Sequence, residues 1–157
     1  MSDTAKHPSN GIKKDEQKQV FHSSSSEDTF NLASRIGKQL RGGEVILLIG
    51  ELGSGKTLFA KGLARGLGVE DSQEVTSPSF TLVHQHLGRF KFYHVDLFRI
   101  SSLDEIYQLG LEEIMIAKNV VAIEWAEKLG PLTPKNAIKV LFRNLGEGKR
   151  SITLLRE

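Results

Sequence analysis

Gly50 is followed by four free positions and then by Gly55-Lys56-Thr57, within the run IGELGSGKT. Glycines at this spacing let a loop turn its backbone N–H groups onto phosphate oxygens. A helix opening at Lys56 would add the partial positive charge of its N-terminus. The Lys56 ammonium would then reach the β- and γ-phosphates, and the Thr57 hydroxyl would hold Mg²⁺. An ordinary glycine-rich turn does not require Lys-Thr at the helix start, so the pattern predicts a nucleoside triphosphate site.

Such a site also needs a carboxylate at the end of a neighbouring strand, to hold the metal directly or through water. Asp96 ends FKFYHVD and Glu124 ends VVAIE. The first run alternates large apolar and polar residues, which predicts a half-exposed strand. The second is apolar up to its last residue, which predicts a buried parallel strand beside the phosphate loop. The pattern therefore favours Glu124 near the metal, with Asp96 as a second metal partner or as the group that orients water. The segment EVTSPSFTL, Glu74 to Leu82, stands where nucleotide switches sense the γ-phosphate. Thr76 and Ser77 offer hydroxyls there, and Pro78 biases Ser77 toward extended backbone. His84 and His86 share one strand face, as do His94 and Asp96. No third and fourth ligand has convincing zinc spacing, so these are read as ordinary surface or core histidines. Trp125 belongs to the core, the nucleotide or a partner, and Arg99 to a carboxylate or a phosphate.

The elements that must position these residues follow from periodicity. KQVFH suggests a short edge strand. In SSSSEDTF, Ser24 with Glu27 is in capping-box register and Ser26 is a rival cap. Phe30, Ala33, Ile36, Gly37 and Leu40 then repeat at helical spacing up to Gly42-Gly43. EVILLIG reads as a buried strand, and Lys56 to Leu67 as a helix closed by Gly66 and Gly68. FTLVHQH and RFKFYHVD form one predicted hairpin, AIKVLFRN and SITLLR a second. SSLDEIYQL opens another helix, with Ser102 and Glu105 in capping register. The expected fold is an α/β, P-loop NTPase-like three-layer domain. Its central sheet is mixed and mainly parallel, with antiparallel hairpins.

With 157 residues, the chain is long enough for one domain with a real core. Residues 1–18 are polar and charged and are expected to stay unordered, leaving residues 19–157 as the domain. Net charge is only +2, from 21 basic and 19 acidic residues, which gives no support for direct nucleic-acid binding. Cysteine is absent, which excludes disulfides and thiolate-bound zinc. Neither a membrane-length apolar run nor an apolar leader is seen, so a soluble, cytoplasmic protein without a membrane partner is expected.

GELGSGKT, VTSPSFTL, HVDLFR and IEW follow one another at separations that resemble the bacterial TsaE (YjeE) family, the ATPase of tRNA threonylcarbamoyladenosine synthesis. The likeness covers about Val20 to Thr133. It implies a protein that binds ATP and Mg²⁺ and hydrolyses ATP weakly alone. Its partners would be the TsaB and TsaD transferase subunits, with tRNA engaged indirectly through that complex. The ATPase would let the transferase turn over repeatedly rather than carry out the transfer. Carried over to this chain, Glu51, Leu52, Gly53, Ser54, Gly55, Lys56, Thr57 and Leu58 form the nucleotide-binding loop. Lys56, Asp96 and Glu124 are the implied catalytic residues, and Thr57, Glu124 and Asp96 the implied metal residues. Thr76, Ser77, Pro78, Ser79 and Phe80 form the switch-like segment. Trp125 lies beside the nucleotide, and Thr29 near its adenine end. The chain departs from the family at Phe98, where tyrosine is usual, at Ser79, where threonine is common, and at Leu58, where a second threonine is common. Its N-terminal extension is also longer. None of these changes touches Lys56, Thr57, Asp96 or Glu124.

Two rivals use the same loop. A small-molecule kinase would need a basic lid over the γ-phosphate, but LGLEEIMIAKN, after the predicted helix at SSLDEIYQL, is mostly apolar and acidic. A guanine-dependent switch usually carries an N-K-x-D-like element, and this chain has none.

Overall fold

The apolar runs Val45–Ile49 (β2) and Val120–Glu124 (β5) become adjacent parallel strands at the middle of a seven-stranded sheet. The computed structural model that gives this arrangement describes residues 17–70, 72 and 82–156. The other strands are β1 (Gln17–Ser23), β3 (Val83–Leu87), β4 (Lys91–Asp96), β6 (Ile138–Gly146) and β7 (Lys149–Arg156). Their order is β1-β7-β6-β2-β5-β4-β3. Strands β6, β2, β5 and β4 run parallel, while β3 and β7 join antiparallel to β4 and β6. Both predicted hairpins are thus present, and the sheet is mixed with a parallel centre.

β1 pairs antiparallel with β7 at one edge, as KQVFH suggested. It begins at Gln17, so two residues given to the tail by composition pair with Arg156 and Leu155. Pairing is through the backbone, and their exposed polar side chains give no apolar signal for it. Residues 1–16 lie outside the described residues.

Helices α1 (Ser26–Gln39) and α2 (Lys56–Gly66) cover one face. The cap of α1 is Ser25, not Ser24 or Ser26: its hydroxyl accepts from Asp28 N at 3.0 Å. Asp28 Oδ2 in turn accepts from Ser24 N, so Asp28, not Glu27, closes the box. Leu32, Ala33 and Ile36 point inward, with Phe30 half-buried. α1 and α2 pack unusually close because their contact is made by glycine. A Cβ on Gly66 would lie 2.2 Å from Ser34 O, and one on Gly62 would lie 2.5 Å from Ala33 Cβ. The opposite face carries α3 (Leu103–Gln108), α4 (Leu111–Ile114) and the 3-10 segment Ala126–Leu132. Ser102 caps α3, accepting from Glu105 N as expected.

Side-chain alternation along the strands sorts two cores. Leu48, Phe92 and Ala122 meet α1 and α2, with Phe59 edge-on to Phe142 at 5.3 Å. Leu47, Val95 and Ile123 meet Ile106, Leu111 and Leu129. The same parity sends Gly50, His94, Asp96 and Glu124 to the α2 side. β4 is not half-exposed: it lies inside the sheet between β5 and β3, and His94 is buried.

Candidate functional site

β2 ends at Ile49, and α2 opens at Lys56 with Gly55 as its N-cap. Gly55 has φ +108° and offers no side chain, so the first N–H groups of α2 receive no side-chain cap. Ser54 N bonds to Glu51 O at 3.1 Å, which closes the loop upon itself. A Cβ on Gly50 would lie 2.7 Å from Ser54 Oγ, and one on Gly55 would lie 2.9 Å from an Arg150 guanidinium nitrogen. Gly50 is therefore restricted to glycine by close neighbours, and Gly55 by its positive φ. The cradle opens into a cavity of about 440 Å³, which is within the range of small-molecule sites.

Strand register brings the acidic residues to this cavity. Glu124 stands beside Leu48 of β2 and opposite Asp96 of β4. Its buried carboxylate accepts from Thr57 Oγ1 at 2.9 and 3.1 Å, and from His94 Nε2 at 2.6 Å. Asp96 lines the cavity and accepts from Phe98 N at 2.9 Å, which starts a tight turn. Lys128 holds that turn by donating to the carbonyls of Phe98 and Ile100.

Lys56 is buried, with its ammonium bonded to Gly50 O and Glu51 O and lying 3.9 Å from the centre of the Trp125 ring. Burial lowers its pKa below the ordinary lysine range, and the nearby Glu124, Glu127 and Asp96 carboxylates oppose that shift. Trp125 takes a left-handed backbone conformation, φ +56°, which is uncommon for a bulky residue. The turn places its ring between Lys56 and Phe98, whose ring centre is 5.1 Å away.

The predicted residues Leu52, Gly53, Gly55, Lys56, Thr57 and Leu58 all line the cavity, together with Asp96, Glu124 and Trp125. Ser54 is buried beneath the loop, and Glu51 contributes its backbone carbonyl. Thr29 is fully buried and does not line the cavity. It bonds to Ser23 and accepts from Arg150, which does line it. The switch-like residues Thr76, Ser77, Pro78, Ser79 and Phe80 lie outside the described residues. Among the described residues, no group of three or more His, Asp or Glu could hold a metal ion. His86 is held below the ordinary imidazole range by burial and by the neighbouring His94 and His84.

Sequence reasoning missed Arg150 and the role of His94. Arg150 comes from β7, whose place near the loop depends on sheet order and has no local signature. For His94 there was a signal: it is two residues before Asp96, hence on the same strand face.

A half-buried hydroxyl and a buried carboxylate within hydrogen-bond reach, with a second carboxylate nearby, make a hard-oxygen donor set. That set fits Mg²⁺ rather than a thiolate- or imidazole-preferring metal. Thr57 and Glu124 are the groups that would hold it.

A family model described as "Threonylcarbamoyl adenosine biosynthesis protein TsaE" matches residues 23–152. A Treponema pallidum protein is 39% identical over 132 residues, covering 84% of this chain and 96% of that protein. A Bacillus subtilis protein is 34% identical, covering 81% and 78% respectively. Both bear the name tRNA threonylcarbamoyladenosine biosynthesis protein TsaE. The crystal structure of YdiB from Bacillus subtilis superposes with a TM-score of 0.73 at 27% identity, covering 90% of this chain and 86% of that one. The fold, the phosphate loop and these matches agree: the chain belongs to the TsaE family.

Proposed function

We propose that this chain is a Mg²⁺-dependent ATPase that supports tRNA threonylcarbamoyladenosine formation by acting on a TsaB–TsaD transferase in the cytoplasm. The observation that carries this reading is the Thr57–Glu124 contact at the opening of α2. It sets two oxygen donors beside a helix N-terminus that has no side-chain cap.

In this reading the N–H groups from Gly53 to Thr57 bind phosphate oxygens, and Lys56 leaves its carbonyl partners to pair with the β- and γ-phosphates. Thr57 and Glu124 bind Mg²⁺. Mg²⁺, when bound, neutralises charge on the phosphate oxygens. Asp96 serves the metal or orients the attacking water. Arg150, beside Gly55, contributes a further positive charge at the phosphates, and Trp125 flanks the nucleotide. Thr29, placed by the family resemblance near the adenine end, acts on the site indirectly by holding Arg150 at the phosphate loop. Thr76 to Phe80 sense the γ-phosphate. Positioning and charge neutralisation supply most of the catalysis of phosphoryl transfer. A chain that supplies only part of them hydrolyses slowly until a partner reshapes its site, and tRNA is reached only through that partner.

The test is ATP hydrolysis by the purified chain, alone and with TsaB and TsaD of the same organism. Slow hydrolysis that rises with both partners is expected. Fast hydrolysis alone, or indifference to the partners, would contradict the reading. Phosphate transfer to a small acceptor would then point to the kinase alternative, and preference for GTP to the switch.

A further inference from the structure

The His94 imidazole is completely buried, and its Nε2 lies 2.6 Å from Glu124 Oε2. This contact is shorter than either that the same carboxylate makes with Thr57. Strand register explains how the two residues meet. His94 stands opposite Ala122, and Glu124 is two residues further along β5 on the same face. Ala122 is small, so the imidazole can lean diagonally across the strand pair to Glu124, a reach open to aromatic side chains.

The other ring nitrogen identifies the proton's place. Nδ1 is buried and has no hydrogen-bond partner among the described residues. A proton there would bury an unsatisfied N–H donor. In the neutral ring it would also turn the Nε2 lone pair toward a carboxylate oxygen. A hydrogen on Nε2 gives Glu124 a donor, so Nε2 is the nitrogen that carries it.

We propose that His94 is a positioning residue: its Nε2–H holds the Glu124 carboxylate in the orientation in which Glu124 and Thr57 take a divalent cation. The inference rests on the nucleotide–metal reading above. The carboxylate is gripped on one side by His94 and on the other by the Thr57 hydroxyl. Its orientation is therefore set before a cation arrives, and less freedom is lost on binding. Hydrogen-bond partners of metal ligands commonly set affinity in this way.

The test uses the full chain with saturating ADP and Mn²⁺ as the probe cation, counted by electron paramagnetic resonance. His94→Leu should weaken Mn²⁺ binding about tenfold or more, while ADP affinity without metal stays unchanged. His94→Gln, whose side-chain amide can donate to the same oxygen, should restore most of the loss. Wild-type Mn²⁺ affinity in His94→Leu, or equal losses in both variants, would overturn the proposal and leave His94 as packing alone. Nitrogen NMR of the wild-type imidazole requires no variant. It should show a hydrogen on Nε2, and a ring that carries none there would overturn the proposal. If the wild type takes up no Mn²⁺ with ADP, the nucleotide–metal reading fails first and the His94 proposal falls with it.

Discussion

The two ends of α2 are treated in opposite ways. At its C-terminal end, Arg89 from the β3–β4 turn donates to Gly66 O of α2 and to Gly37 O, Lys38 O and Leu40 O of α1. Its own backbone N–H donates to Leu67 O at 2.7 Å. One guanidinium therefore caps two helices and offsets the negative ends of both dipoles. At the N-terminal end there is no side-chain cap. The cation there, Lys56, lies among loop carbonyls and an indole ring, and burial lowers its pKa. Polar groups at the first end are satisfied within the chain, which favours folding. Those at the second suit an anionic ligand, and the cost of burying Lys56 is borne by the fold.

The contrast separates activity from stability. Lys56→Ala should reduce ATP hydrolysis by about 10²-fold or more. It should leave the melting temperature equal or higher, because a buried ammonium is removed. Hydrolysis at the wild-type rate would break the comparison at once.

Gly66→Ala acts at the satisfied end. Its Cβ would meet Ser34 O at 2.2 Å, a backbone atom that yields only if α1 moves. The expected loss is about 3 kcal/mol, measured by urea unfolding, and a neutral effect would mean that the helix contact is slack. Arg89→Ala should cost less, about 1–2 kcal/mol, because the residue is exposed and forces no backbone shift. Its nucleotide affinity should match the wild type, and a change there would blur the two ends.

The smallest effect is the pH dependence of Lys56. Its pKa is lower folded than unfolded, so between the two values the unfolded chain holds more protons, and stability rises with pH across that window. Below the folded pKa the burial penalty is present in full. The ligand-free wild type should therefore gain stability relative to Lys56→Met as pH rises through the alkaline range. ATP affinity should fall over the same range as the ammonium is lost. Parallel melting curves for the two proteins would contradict the assignment.

Much of the active end was legible because its signals are local. A strand that is apolar until a terminal glutamate, and a strand that ends in glycine before Lys-Thr, each state their own geometry. The parity of β5 sends Glu124 to the α2 face without knowledge of any other strand. The satisfied end was less legible. Arg89 reads as a turn residue, and only the hairpin's approach to Leu67 turns it into a cap for two helices. Arg150 is hidden for the same reason, since sheet order carries it to Gly55. Among four consecutive serines the capping hydroxyls are chemically equivalent, and the choice of Ser25 depends on Asp28 reaching back to Ser24 N. β4 was misread as half-exposed because a histidine counts as polar. Here it is a core residue whose polarity is consumed by Glu124.

The most direct test is multiple-turnover tRNA modification by purified TsaB and TsaD, supplied with this chain as wild type or as Lys56→Ala. Repeated rounds of threonylcarbamoyladenosine formation with the wild type, and at most a single round with Lys56→Ala, are the predicted result. Equal turnover with both proteins would contradict the claim that the Lys56 end of α2 is what this chain brings to the modification.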